Sequence, residues 1–378
     1  MERMRAFLLA CSAALLLLLG ACGRSATLAP EAHRAQGFRF VPDTLADGGR
    51  SVELLDRRLQ GADSVAIRYR VGGNNLVSDT LIAFAHPFRR AICLSTTHVA
   101  FLQALGLVDR VVGVSTPRYV TNHAVRQAVA EGRIVDVGTD MDLNYEAIVA
   151  QQPDVCFAFA TSGPKPPFVA RLQGLGIPVV MVGEYLEEHP LARTEWLRVF
   201  GYLAGVGDRA DALYDSVAHR YDSVASSISP SNLRPHVLIN APWKEMWYMP
   251  GANSYMSRLV RDAGGEVLGN DSQDGESHPV NLEVALAYGL KADYWLSPGM
   301  ALDLQTLLND NPFYAQFPAV QSDRVWNNNL QLSPEGGNGF YEQGVLQPDI
   351  VLADLVAILH PEYAQHHVFT YYRHLAKP

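Results

Sequence analysis

Ala91-Ile92-Cys93-Leu94-Ser95 and Val111-Val112-Gly113-Val114-Ser115 bracket the stretch that decides the fold. Each is a short apolar run, and between them residues 98–107 carry apolar side chains at helical spacing and close on Leu105-Gly106. Strand, helix and strand in that order make the unit from which parallel α/β sheets are built. Reading outward, the alternation continues with a helix over 145–151, a strand over 155–159, a helix over 168–175 and a strand over 179–182.

A second copy of this pattern follows. Residues 237–240 form a strand like 91–94, and the next helix ends at Ala263-Gly264-Gly265 as the first ends at Leu105-Gly106. Each half then opens a helix with Asn-x-Glu, at Asn144-Tyr145-Glu146 and Asn281-Leu282-Glu283, and leads into an Asp-started strand at Asp154 and Asp293. Ile92 and Val237 lie 145 positions apart, and Glu146 and Glu283 lie 137 apart. So long a period is not that of a solenoid. It predicts an α/β fold of two similar lobes. The stretch 190–228 is helical throughout, is broken at Gly205-Val206-Gly207-Asp208 with Asp208 placed to cap the second helix, and is long enough to join the lobes.

The N-terminus sets the compartment. Arg3 and Arg5 precede an apolar run over 6–19, too short for a comfortable membrane span but suited to a signal-peptide core. Gly20-Ala21-Cys22 resembles the bacterial lipobox, which implies a diacylglycerol on the Cys22 sulfur. The expected organisation is a signal peptide over 1–21, a lipidated tether over 22–35, a β-hairpin segment over 36–88 with turns at Gly48-Gly49 and Gly72-Gly73, a first lobe over 89–189, linker helices over 190–228 and a second lobe over 229–378. Without Arg3, Arg5 and Glu2, the 30 basic and 39 acidic residues become 28 and 38. That acidic balance, with no Lys/Arg-rich run, argues against a nucleic-acid partner. Cys93 and Cys156 sit in apolar strands and read as buried free thiols, with no cysteine–histidine cluster for structural zinc.

Ligands of α/β sheets gather beyond the carboxyl ends of the strands. In the first lobe those loops hold Ser95, Thr96, Thr97 and His98, then Arg118 and Tyr119, then Thr161 and Ser162 with Lys165 close behind. In the second lobe they hold Trp243, Trp247 and Tyr248, the stretch 270–277, and Trp326 to Glu342 with Asn327-Asn328-Asn329, Asn338, Phe340 and Tyr341. Aromatics gathered on one rim suit a large, flat, partly apolar ligand. A bare metal ion needs three or four convergent donors; His98 lacks matching partners, so no metal site and no resident cofactor are expected. No G-x-S-x-G is present, and Glu335-Gly336-Gly337-Asn338-Gly339 lacks the lysine of a phosphate loop and reads as a flexible turn, so no catalytic residue is assigned.

Taken together, Arg90 to Ser95, Ala104-Leu105-Gly106, Val137-Gly138, Asn144-x-Glu146, Gln152-Pro153-Asp154-Val155 and Gly176-Ile177-Pro178-Val179 resemble the ABC-importer binding proteins for iron–siderophores, haem and cobalamin. Gly251, Asp262-Ala263-Gly264-Gly265, Ala319-Val320 and Arg324-Val325 continue the resemblance through the second lobe. It implies lobes joined by a rigid helix, limited closure on ligand, and Glu146 and Glu283 docking on arginines of an ABC permease with its ATPase. It also implies a monomeric, lipid-anchored, extracytoplasmic (in a Gram-negative cell, periplasmic) carrier rather than an enzyme. The loop aromatics and amides suit cobalamin or a ferric chelate, with haem third. The rival reading is a chelatase-like enzyme, since such enzymes can share a two-lobed architecture.

Overall fold

A computed structural model describes residues 33–42, 50–55, 67–72, 74–78, 80–139, 141–159, 166–228 and 234–377. The signal segment, Cys22, Gly48-Gly49, Gly73, Thr161, Ser162 and Lys165 lie outside these residues.

Strands β1 (Phe38–Pro42), β2 (Arg50–Leu54), β3 (Ile67–Val71), β4 (Leu76–Val77) and β5 (Leu81–Phe84) form one sheet in the order β1-β2-β3-β5-β4. The expectation of simple hairpins fails at its far end. There β3 and β5 run parallel, Tyr69 facing Ile82, and β4 lies outside them, antiparallel to β5. Burial explains the swap: β5 buries Ile82, Ala83 and Phe84, whereas Leu76 and Val77 of β4 are exposed and fit an edge. This sheet shares one apolar core with the first lobe, in which Phe38, Val52, Tyr69 and Ile82 pack with Phe88, Phe157 and Phe200. Tyr69 donates its hydroxyl to the Val179 carbonyl at 3.0 Å.

The first lobe is built on β6 (Ala91–Cys93), β7 (Val111–Val114), β8 (Val135–Asp136), β11 (Val155–Ala158) and β12 (Val179–Met181), with a small hairpin of β9 (Gly138–Thr139) and β10 (Asp142–Leu143). Its order is β12-β11-β6-β7-β8, every pair parallel. Strands covered on both faces must be apolar throughout, and every residue of β7 and β11 is buried. Cys93 and Cys156 are buried free thiols here, and burial pushes Cys156 up to about 12, where it stays an unreactive thiol.

The second lobe is built on β13 (His236–Ile239), β16 (Glu266–Val267), β18 (Tyr294–Leu296), β19 (Val325–Asn327) and β20 (Arg373–His374), in the order β16-β13-β18-β19-β20. Beside it lies a sheet of β14 (Pro242–Trp243), β15 (Met246–Pro250) and β17 (Ser277–Asn281). With β6, β7, β11 and β12 matched to β13, β16, β18 and β19, both lobes read second, first, third, last. That shared order is the structural form of the repeat. β8, at the β7 edge of the first sheet, and β20, antiparallel to β19 at the edge of the second, have no counterpart. β20 is held by Asp354, whose buried carboxylate accepts from the amides of Thr370, Tyr371 and Tyr372 and lies 2.6 Å from His367 Nε2.

Helices Pro190–Glu195, Leu197–Ala204 and Gly207–Ser226 join the lobes. Asp208 does not cap the last of these, as expected from sequence; Val206 holds that position without a side-chain bond, and Asp208 lies in the first turn, where its charge still favours the helix dipole. The 20-residue helix enters both cores. Ala210 belongs to the first-lobe cluster, and Tyr214, Val217 and Tyr221 belong to the second. Val345 and Leu346, which follow β19 in the chain, return the connection by burying themselves in the first-lobe core.

The start of the described chain is fixed by carboxylates. Glu195, fully buried, accepts from the amides of Arg34 and Ala35 at 2.8 Å each and pairs with Arg198 at 2.9 Å. Glu187 accepts from the Gln36 and Gly37 amides and from Trp196 Nε1. Removing one member of such a buried set costs about 3–5 kcal/mol. Glu195→Ala is therefore expected to destabilise the fold by about that much, with amide exchange rising first at residues 34–40. Unchanged exchange there would show that the carboxylate holds nothing.

Candidate functional site

A cleft of about 1030 Å³ opens between the lobes, beyond the carboxyl ends of β12, β13, β18 and β19. It is slightly larger than the ~300–1,000 Å³ of typical small-molecule sites. The first-lobe wall is residues 185–188; the second-lobe wall includes Asn240, Tyr255, Met256, residues 274–277, Ser297, Asn328, Phe340 and Tyr341. Local capping sets several of these. Ser254 caps the helix Tyr255–Asp262 by accepting from Ser257 N at 3.2 Å, which places Tyr255 at the helix mouth. Asn338 accepts from Phe340 N at 3.0 Å and starts the short helix Gly339–Glu342. Asn328 donates to the Tyr341 hydroxyl at 3.2 Å.

The lobes meet on both sides of this opening. On one side Glu342, fully buried, accepts from the amides of Thr121 (2.6 Å) and Asn122 (3.2 Å), and Arg126 pairs with Glu335 at 2.7 Å. Burial raises the Glu342 carboxyl above its ordinary range, while those amide donors pull it back. Gly337 packs so closely on the Tyr119 carbonyl that a Cβ would lie 2.3 Å from the oxygen. The glycine-rich turn is thus an inter-lobe contact, where sequence read a flexible turn. On the other side Gly275 rests on the Glu188 side chain, 2.9 Å from where its Cβ would stand.

Of the first-lobe loops that sequence assigned to ligand, the one at Arg118-Tyr119 is taken up by these contacts. Ser95 caps the helix Thr96–Ala104, and Thr97 donates its hydroxyl to buried Glu184 at 2.7 Å. Burial raises the Glu184 carboxyl; Arg193 nearby opposes the shift. His98 is fully buried, its ring 6.0–6.4 Å from those of Phe157, Phe159 and Phe200. It is a core side chain, held neutral by burial with its pKa lowered to about 3. Thr96 is not in the cleft wall, and Tyr119 is 45% exposed beneath the Arg118 guanidinium, also outside it.

All three loop tryptophans are corrected as well. Trp247 lies in β15, fully buried against Trp295 and Tyr314, with Nε1 donating to the Ile239 carbonyl at 2.8 Å. Trp326 lies in β19 between Phe369 and His374, each 4.6 Å away. Trp243 is 70% exposed on the β14–β15 hairpin, away from the cleft wall. Among the described residues, the sequence-assigned positions that the structure brings to the cleft are Phe340 and Tyr341, with Asn328 and residues 274–277 of the loops singled out beside them. Sequence reasoning passed over residues 185–188 although they follow β12, the last strand of the first lobe. Asn240 and Ser297 have left-handed backbones, φ 70° and 55°, which no sequence pattern announced. Among the described residues no three His, Cys, Asp or Glu side chains converge on an ion site.

A sequence model of the family described as periplasmic binding protein matches residues 92–327, more than half the chain. This chain belongs to the periplasmic binding protein family. An uncharacterized lipoprotein of Methanocaldococcus jannaschii is 29% identical to it over 288 residues, covering 73% of this chain and 66% of that relative's length, about two thirds. Among solved structures, a periplasmic heme binding protein from Pseudomonas aeruginosa aligns over 72% of this chain and 93% of its own at 22% identity, with a TM-score of 0.55. The periplasmic vitamin B12 binding protein of Vibrio cholerae aligns over 74% and 99% at 18% identity and a TM-score of 0.52. A periplasmic solute binding protein from Veillonella parvula covers 88% of this chain and 89% of its own, at 17% identity and a TM-score of 0.55. At these identities the solved structures share the fold. The family is a solute-binding class, and the two-lobed α/β architecture is the one these structures have.

The placement of His98 predicts a pH effect. Its folded pKa lies below the ordinary value near ~6.5, so the unfolded chain binds the proton more readily. The stability present above that ordinary value is lost as pH falls toward the folded pKa of about 3, on the order of 1.4 kcal/mol per pH unit. His98→Leu is expected to flatten that part of the acid limb of the melting-temperature profile while leaving ligand affinity unchanged. An unaltered acid limb, or lost affinity, would return His98 to the site.

Proposed function

We propose that this periplasmic binding protein is the lipid-anchored capture subunit of an ABC importer and carries a metal chelate, cobalamin or a ferric siderophore, to its permease and ATPase. The observation that carries the reading is the cleft itself. It is large, lies at the strand ends between two lobes of this family's fold, and is walled by Tyr185, Tyr255, Phe340 and Tyr341. Flat aromatic groups of that kind suit a chelate whose ligand shell presents an apolar face. The lipid anchor on Cys22 is supported by the lipobox-like Gly20-Ala21-Cys22 and by a relative that is itself named a lipoprotein. Several acyl chains would hold the protein stably at the membrane, where one would not.

Permease docking is assigned to Glu146 and Glu283. Both are exposed, and each sits in the first turn of a helix capped by an asparagine, Asn144 accepting from Ala147 N at 3.0 Å and Asn281 from Val284 N at 2.9 Å. One acid per lobe at equivalent positions matches a two-fold transporter, and two weak ion pairs engaged together exceed either alone.

Both parts are tested together. The mature protein, titrated with cobalamin, haemin and ferric siderophores, is expected to bind one chelate stoichiometrically, read by tryptophan fluorescence. The Glu146→Arg, Glu283→Arg double variant is expected to bind that chelate equally well and to abolish its uptake in cells. Uptake by the double variant would remove the docking role, and failure of the unmodified protein to bind any of the chelates would remove the capture reading.

A further inference from the structure

The solvent side of a surface helix is ordinarily polar. The joining helix Gly207–Ser226 obeys that rule, exposing Asp208, Arg209, Asp215 and Arg220. Two other helices do not. In Tyr145–Ala150 the exposed positions are Glu146, Val149 and Ala150, which share one face at the spacing i, i+3 and i+4. In Leu282–Gly289 they are Glu283, Val284 and Ala287, with the C-cap Leu290 a turn beyond Ala287. Val149 is 44% exposed, Val284 41% and Leu290 44%. Neither helix has a second charged residue. Glu146 and Glu283 make no side-chain hydrogen bond or ion pair among the described residues. Even Arg171, which stacks on the neighbouring Tyr145 ring at 3.8 Å, is not paired with Glu146.

A single exposed aliphatic side chain needs no explanation. These recur at equivalent places. Each helix is capped by an asparagine and leads into a matched strand, β11 in one lobe and β18 in the other. Each of those strands is tied at its start by an aspartate, Asp154 accepting from the Arg89 and Arg90 amides and Asp293 from that of His236. A helix that leads into a parallel strand runs opposite to it, so both helices start on the side of the sheets where the cleft opens. In the second lobe one strand makes the link: β17 begins at Ser277 in the cleft wall and ends at Asn281, the helix cap. Matching apolar faces on both lobes, at the cleft side, fit a partner that meets both lobes where ligand leaves.

We infer that the permease is held chiefly by these apolar faces, with Val149 and Ala150 of the first lobe and Val284, Ala287 and Leu290 of the second packing on its aliphatic side chains. Glu146 and Glu283 orient the encounter. The inference rests on the docking role proposed for the two glutamates and gives that surface its chemistry. Charged pairs at a rim govern the rate of association, whereas desolvated apolar contact governs how long a complex lasts. Alanine at 150 and 287 keeps both faces low, so that a helix or loop of the partner can approach closely and exclude water around each carboxylate.

The test measures binding of the mature, chelate-free protein to its permease and ATPase in lipid nanodiscs, by biolayer interferometry at moderate and at molar salt. The unmodified protein is expected to keep most of its affinity at molar salt, where the Debye length is ~3 Å and ion pairs are screened. The triple variant Val149→Gln, Val284→Gln, Leu290→Gln should bind about tenfold more weakly at both salt concentrations, through faster dissociation, with its circular dichroism and melting temperature unchanged. Glu146→Gln, Glu283→Gln should mainly slow association. A triple variant that binds as tightly as the unmodified protein, while Glu146→Arg, Glu283→Arg is impaired, would overturn this inference and leave the docking role standing. Affinity of the unmodified protein that collapses at molar salt would do the same. If neither variant weakens binding, the docking role falls as well. A dimer of the unmodified protein in sedimentation velocity, lost in the triple variant, would give the faces to a second copy of the chain and overturn their assignment to the permease.

Discussion

The structure turns on the burial of Val345 and Leu346, residues of the second half of the chain, in the core of the first lobe. Two large aliphatic side chains taken from water contribute on the order of 1.5–3 kcal/mol each, and they draw the preceding helix Gly339–Glu342 down with them. In that arrangement the Glu342 carboxylate sits on the Thr121 and Asn122 amides and Gly337 on the Tyr119 carbonyl. The helix Gly207–Ser226 makes the complementary join, with Ala210 in one core and Tyr221 in the other. A lobe held at both ends cannot swing freely without opening a packed core, and packed cores have few alternative arrangements. The cleft between them is consequently preformed rather than assembled by large domain closure.

Much of this architecture was legible in the chain. The apolar runs at 91–94 and 111–114, and the run at 155–159 up to Ala158, could bury their side chains only as interior strands of a parallel sheet, and they do. The Asn-x-Glu tripeptides announced the repeat because their cap chemistry is local: an asparagine that accepts from the third residue on needs no tertiary partner to be recognised. The N-terminal sheet was legible as strands but not as topology. Placing β5 beside β3 depends on which of two short apolar segments buries better against Phe88 and Phe157, and that is a tertiary choice.

The site was less legible, for a related reason. Trp243, Trp247 and Trp326 look alike in sequence, yet one is exposed, one is core and one is packed between Phe369 and His374. Their loops turned out to be strands, whose alternation sends neighbouring side chains to opposite faces, so Trp247 goes inward while Tyr248 stays out. His98 stood in the right loop for a ligand but belongs to a helix whose inner face packs on Phe200. The residues that do wall the cleft, Glu188, Asn240 and Ser297 among them, are defined by the meeting of the two lobes and by backbone conformation. Neither leaves a pattern in a single sequence.

The central claim is that the lobes are fixed by shared core packing, and an inter-lobe distance measures it most directly. Spin labels on cysteines introduced at the exposed positions Val149 and Leu290 report that distance by pulsed electron resonance, with buried Cys93 and Cys156 left unlabelled. The account predicts one narrow distribution in the ligand-free protein, nearly superimposable on that of the ligand-saturated protein. A broad or two-peaked distribution without ligand, collapsing to a shorter distance on binding, would contradict it.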